Sequence, residues 1–170
     1  ALDFGGTNVR VSRIRLLGKH CFMVEKKVSC PLQLEGSYNY MSPQTTVDEL
    51  FDFIASLIEE AAGGNKAYRL GHTFSFGVIQ NHVKDAALIQ WSKEIQVQGG
   101  EGMLINTLLK QALARRGLEN IEPVALLNDT TALLLAAGYQ YGCSQIGIIC
   151  GTGFNICYYE PMLQMIIILE

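Results

Sequence analysis

Several things are scarce in this chain of 170 residues. Only 17% of the residues are charged, and the net charge is −3. No run of Lys or Arg breaks that balance, so a nucleic-acid partner is not expected. The longest apolar runs, such as Met165 to Leu169, are far too short to cross a bilayer. Five cysteines form no C-x-x-C pair. Cys143, Cys150 and Cys157 are spaced by seven, and the cysteines read as buried free thiols of a reducing compartment. No metal-ligand spacing joins His20, His72 and His82. The chain shows no signal-peptide pattern, so a cytoplasmic protein is expected. It has no G-x-G-x-x-G between a strand and a helix, which excludes a dinucleotide-binding unit of that type. It has no H-R-D loop and no V-A-I-K strand, so Asp3-Phe4-Gly5 does not mark a protein kinase.

What is present begins at the second residue. Leu2-Asp3-Phe4-Gly5-Gly6-Thr7-Asn8-Val9-Arg10 is an apolar strand start running into an Asp, two glycines, two small hydrogen-bonding residues and an Arg. Gly5 and Gly6 lack a Cβ, so backbone N–H groups there can approach a phosphate closely. Asp3 sits at a strand end, placed to bind Mg²⁺ directly or through water. By itself the Gly-Gly pair also fits an ordinary hairpin turn. The pattern recurs at Ile148-Ile149-Cys150-Gly151-Thr152-Gly153-Phe154-Asn155-Ile156. Two such hairpins suggest two related halves facing each other across a nucleotide.

Residues 1–4, 9–16 and 21–30 read as strands joined by tight turns, followed by a polar loop from Pro31 to Gln44. Thr46-Val47-Asp48-Glu49 is a capping box that opens a helix. Leu50, Phe53, Ile54, Leu57 and Ile58 form its buried stripe, and Gly63-Gly64-Asn65 ends it. Strands follow at Arg69–Phe76 and Ala87–Trp91. A helix is predicted over Glu101–Arg116, with Leu104, Leu108 and Leu113 turned inward. Glu122–Leu127 is nearly all apolar, as for a strand buried on both faces. Asp129–Tyr139 reads as a helix, and 145–150, 154–159 and 164–169 as strands. This alternation means an α/β protein.

Leu126-Leu127-Asn128-Asp129-Thr130-Thr131 lies where a buried strand meets a helix, and ligands of α/β sheets collect at the carboxyl ends of strands. Asp129 is either a helix cap or a catalytic carboxylate. Beside two phosphate-type hairpins the second reading carries more weight. Phosphoryl transfer needs positioning, charge neutralisation and a group that accepts the attacking hydroxyl's proton. Lys93, after Trp91-Ser92, is either a surface lysine or a ligand for sugar or phosphoryl oxygen. Ser75, in Thr73-Phe74-Ser75-Phe76, is either a polar strand residue or a hydroxyl contact.

In this order the segments LDFGGTNVR, TFSF, IQWSKEI, LLNDTTALLLAAGY, CGTGFNICYYE and MIIILE resemble the motifs of the eukaryotic-type hexokinase family, collinear over essentially the whole chain. The resemblance implies the actin-like ATPase fold, two ribonuclease-H-like domains around a cleft. Residues 1–128 would form the small domain, and 129–170 would begin a large domain that is incomplete here. It implies ATP-dependent phosphorylation of a hexose at its 6-hydroxyl, with Asp129 as the base. Ser75, Ser92, Lys93, Asn128, Asn155 and Glu170 would hold sugar hydroxyls. Asp3, Gly5, Gly6, Thr7, Asn8 and Arg10 would serve the phosphates and Mg²⁺, with Gly151, Thr152 and Gly153 on the facing side. A sugar-binding regulator on the same scaffold is the alternative, and a pure binder has no need of the base.

Departures from the family pattern are informative. Gly77 replaces a Pro and predicts a looser loop. Ser92 replaces a Thr and keeps a hydroxyl. Glu94-Ile95 replace Gly-Phe and put a carboxylate beside the sugar loop. Ala1 opens next to a working motif, Glu170 closes an apolar strand, and 160–164 is a short connection. A fragment is therefore expected, with the adenosine motif and a further sugar-binding Glu lying beyond residue 170.

Overall fold

The computed structural model describes residues 1–92, 94–151 and 153–160. Its centre is a five-stranded sheet. β1 (Leu2–Phe4), β2 (Asn8–Gly18) and β3 (Cys21–Pro31) form an antiparallel meander. β6 (Tyr68–Phe74) and β9 (Ile121–Leu127) then add in parallel, giving the order β3-β2-β1-β6-β9. Counted within this sheet, the order is 3-2-1-4-5 with the second strand reversed, as the ribonuclease-H-like fold requires. Three two-stranded pairs complete the strands: β4 (Gln33–Leu34) with β5 (Tyr38–Asn39), β7 (Gly77–His82) with β8 (Asp85–Gln90), and β10 (Ile146–Cys150) with β11 (Phe154–Tyr158).

The helices are α1 (Val47–Ala62), α2 (Ile105–Arg115) and α3 (Asp129–Tyr141). α1 starts as its sequence dictates. Thr46 Oγ1 accepts from Glu49 N at 3.3 Å, and the Glu49 carboxylate accepts from Thr46 N at 2.7 Å. The bond from Thr46 N and, after it, one donated by Thr46 Oγ1 at 2.8 Å hold the Glu49 carboxyl below its ordinary range. Gly63 ends the helix at φ 61°, a left-handed conformation that costs a glycine little. The buried face of α1 contains the expected Leu50, Ile54, Leu57 and Ile58 and is wider than the expected stripe. Phe51 and Ala55 are buried beside Leu50, Ile54 and Ile58. Phe53 is half-buried at the edge of the core, stacking on Tyr40 with ring centroids 4.3 Å apart. Among the described residues, no helix is long and apolar enough to cross a membrane.

Four further expectations are corrected. α2 begins at Ile105, not Glu101, because Glu101 and Leu104 make isolated bridges to Leu88 and Ala87. Leu104 consequently sits at the cap and is exposed. β9 is not buried on both faces: Glu122 is exposed, and among the described residues β9 is the outer strand of its sheet. That position tolerates Pro123, which has no N–H to give a second neighbour. The segment from Gly77 is a paired strand, not a loose loop. The expected strand over 164–169 lies outside the described residues. The cysteines are free but not buried as expected: Cys21, Cys143 and Cys150 are exposed, and Cys30 and Cys157 are half-buried.

His72, on β6, is buried, and its Nδ1 faces Asn106 Oδ1 at 3.0 Å. Because Asn106 Nδ2 is donated to Lys84 O at 2.7 Å, Oδ1 is left as the acceptor and His72 Nδ1 carries the proton. Burial lowers the His72 pKa to about 4, against the opposing pull of Asn106, Asp85 and Asp3. A folded-state value below the unfolded one means that the unfolded chain binds the proton first as pH falls. Stability is then lost progressively between about pH 6.5 and pH 4, by roughly 3 kcal/mol. Urea unfolding at pH 7 and pH 4.5 should show this loss for the wild type and a smaller one for His72→Leu. Equal losses in the two proteins would remove His72 as the cause.

Candidate active site

The first cluster is built where β1 turns into β2. Gly5 N donates to Asn8 O at 3.1 Å, closing the turn, and Asn8 Nδ2 donates to Thr7 Oγ1 at 3.0 Å. A Cβ on Gly5 would stand 3.4 Å from Asn8 O, a close fit. Asp3 pairs with Arg10 across the β1–β2 ladder and with Thr73 across β1–β6. Its carboxylate accepts from Arg10 Nη1 at 3.0 Å and from Thr73 Oγ1 at 2.9 Å. The Asp3 side chain remains 41% exposed, so the ion pair fixes its direction more than it adds stability. Phe4 fills the floor of the turn. Its ring packs edge-on against Phe74 and Phe76 at 5.5 and 5.2 Å and against a tilted Trp91 at 6.2 Å.

The second cluster lies at the carboxyl ends of β6 and β9. Ser75 N donates to Phe4 O at 3.3 Å, and Ser75 Oγ donates to Asp129 Oδ2 at 2.8 Å. One serine thus ties the glycine turn to the acidic residue. Asn128, not Asp129, is the N-cap of α3. Its Oδ1 accepts from Thr130 N at 3.0 Å and from Thr130 Oγ1 at 2.7 Å. Asp129 occupies the first helical turn, where its Oδ1 accepts from Thr130 N at 2.8 Å. Cap and acid are therefore separate residues.

The second hairpin reaches this cluster through Asn155, whose Nδ2 donates to Asn128 Oδ1 at 3.0 Å. Gly151 N donates to Gly153 O at 2.9 Å within its turn. Ser92 is exposed, and its carbonyl accepts from Ile95 N at 3.3 Å. Trp91 anchors that segment by donating Nε1 to Gly99 O at 2.8 Å. Glu94 has φ 70°, a left-handed conformation that explains a glycine at this position in the resembled motif and strains a glutamate. Lys93, Thr152 and Glu170 lie outside the described residues.

The structure therefore joins Ser75, Asn128, Asp129 and Asn155 into one hydrogen-bonded group, and Asp3 and Arg10 into another. Two participants escape the sequence reading. Thr73 orients Asp3, and only the strand pairing reveals it. Gly147, on β10, lies against the first turn of α3: a Cβ there would meet Thr130 O at 2.9 Å. A lone glycine in an apolar strand was its signal. Among the described residues no group of three or more His, Cys, Asp and Glu could hold a metal. Mg²⁺ is commonly held by one or two carboxylates together with substrate phosphates, and Asp3 suits that mode.

A 3-2-1-4-5 sheet with glycine turns and an acid gathered at strand ends defines a protein of the actin-like ATPase class. Comparison narrows the class. The hexokinase family model matches residues 1–139, and the chain belongs to the hexokinase family. It is 36% identical over 171 residues to Hexokinase-1 of Schizosaccharomyces pombe, covering 97% of this chain and 34% of that protein. It is 36% identical to Hexokinase-2 of Homo sapiens, with 95% and 18% covered. A hexokinase crystal structure superimposes with a TM-score of 0.77 at 34% identity, covering 94% of this chain and 38% of that one. A hexokinase from Schistosoma mansoni complexed with glucose gives 0.77 at 33%, with 92% and 34% covered. The chain thus spans about a third of the length of the fission-yeast relative and under a fifth of the human one.

Proposed function

We propose that the full-length protein phosphorylates a hexose at its 6-hydroxyl with ATP, and that Asp129 is the general base. The observation that carries this reading is the tethering of Asp129 by Ser75 beside Asn128 and Asn155, one strand pair away from the Gly5-Gly6 turn. A carboxylate held by hydroxyl and backbone donors can accept the proton of a sugar hydroxyl. The freed oxygen attacks the γ-phosphorus, the phosphoryl group transfers, and ADP leaves. Asn128 and Asn155, with Ser92, Lys93 and Glu170, supply amide, hydroxyl, ammonium and carboxylate partners for the other sugar hydroxyls. Gly5, Gly6, Thr7, Asn8 and Arg10 receive phosphate oxygens, faced by Gly151, Thr152 and Gly153. When bound, Mg²⁺ neutralises phosphate charge, and Asp3 would hold it directly or through water. On this reading the small domain ends at Asn128, and Asp129 opens the large one.

ADP release by the full-length protein, measured with ATP-Mg²⁺ and a panel of glucose, mannose, fructose and N-acetylglucosamine, tests the proposal. Sugar-dependent release is expected. Sugar binding without release would leave a sensor, not a kinase.

On this reading Ser75 has a sharper role than sugar contact, supported by the donation of its proton to Asp129. Ser75→Ala should lower kcat roughly tenfold, about 1.4 kcal/mol of transition-state stabilisation, with little change in KM for sugar. A raised KM with kcat intact would make Ser75 a sugar ligand only.

A further inference from the structure

We propose that Gln80 is a positioning residue for Asp129, an inference that rests on the phosphoryl-transfer reading above. β9 delivers Asn128 and Asp129, yet it is the outer strand of its sheet, and only its inner edge pairs with β6. A strand residue points its N–H and C=O to the same side. At Leu126, fully buried and three residues before Asp129, both groups face the β7–β8 hairpin. Leu126 N donates to Val83 O at 2.8 Å, and Gln80 Nε2 donates to Leu126 O at 2.7 Å. The same Nε2 donates to His82 O at 3.1 Å, so both amide protons are committed and the side chain is held in one orientation.

Gln80 and Ser75 are five residues apart on one segment. Ser75 grips the Asp129 carboxylate, and Gln80 grips the strand that carries Asp129. Loss of the Gln80 clamp would free the outer edge of β9 just before the Asn128 cap of α3. The carboxylate would then shift relative to the sugar hydroxyl, with Asn128 moving beside it, while Asn155 and Ser92 on other segments keep their places. Errors of about 1 Å in such alignment can cost about 100-fold in rate.

Two variants of the full-length protein separate this role from plain packing. Gln80→Glu keeps the shape but has no proton to donate at neutral pH, whereas Gln80→Lys changes the shape and keeps donors. Gln80→Glu should lower kcat roughly 10- to 100-fold, with glucose affinity and the unfolding midpoint near wild type. Gln80→Lys should recover most of that loss. A fully active Gln80→Glu, or a loss that falls on glucose affinity with kcat unchanged, would overturn the clamp alone. A wild-type protein with no sugar-dependent turnover would overturn the kinase reading and this inference with it.

Discussion

Asp129→Asn in the full-length protein should lower kcat for hexose phosphorylation by roughly 10²- to 10⁴-fold, the usual contribution of a general base. Sugar affinity should stay within about threefold of wild type, because the substitution removes an interaction of the transition state and not of the ground state. The local geometry supports this separation. An Asn amide oxygen can still accept from Thr130 N, as Asp129 Oδ1 does at 2.8 Å. Its amide nitrogen can face Ser75 Oγ, which now donates to Oδ2 at 2.8 Å and can accept instead. The N-cap survives, since Asn128 supplies it. Steady-state kinetics together with calorimetric glucose binding checks the outcome. A variant that loses glucose binding along with turnover would mean that Asp129 holds the substrate, and the base would have to be sought elsewhere.

The largest expected effect on stability is at Phe4. Its ring is fully buried at the junction of β1, β6 and α1, with Phe51, Phe74, Phe76 and Trp91 around it. Phe4→Ala should cost about 3–5 kcal/mol, because aromatic neighbours from separate elements cannot all collapse into the void. Phe4→Leu, which keeps most of the volume, should cost under about 1.5 kcal/mol. The site is affected as well. Phe4 O accepts from Ser75 N, and Gly5 follows directly, so the glycine turn and the Ser75–Asp129 bond share this floor. Urea unfolding of the two variants beside wild type provides the check. A Phe4→Ala loss no larger than that of Phe4→Leu would show that this aromatic cluster does not act as the keystone of the sheet.

How much of this was legible beforehand depended on the range of the signal. The Thr46–Glu49 box and Gly63 are contained within a few residues of the helix ends they define, and both appear where the sequence placed them. The β1–β2 turn and the strand-to-helix junction at Asn128–Asp129 are equally local. Phe51 escaped the periodic reading because it lies about 200° around the helical wheel from Phe53, on a buried face wider than a single stripe. Phe53 sits at the edge of that face, where Tyr40 from the turn after β5 stacks on it. Leu104 fitted a helical period but was drawn into a bridge with Ala87, a tertiary contact that no propensity records. β9 read as buried on both faces by its apolarity, yet Pro123 was the residue that argued for an edge.

The same division holds in the site. Asp3 and Asp129 were visible as chemistry, but their orienting partners were not. Thr73 lies 70 residues from Asp3, and Ser75 lies 54 from Asp129. Those bonds exist because β6 inserts between β1 and β9, and strand order is not written in any single motif. Asn128 resolved a question that the sequence left open, since it takes the capping role and leaves Asp129 available for chemistry.

The most direct test of the central claim is ³¹P NMR of the full-length protein mixed with ATP-Mg²⁺ and glucose. The expected spectrum shows ADP and a sugar phosphate monoester on the 6-oxygen appearing in equal amounts, and neither product when glucose is omitted. ATP left intact while glucose is bound, or ADP accompanied only by inorganic phosphate, would contradict the assignment of this site to hexose phosphorylation.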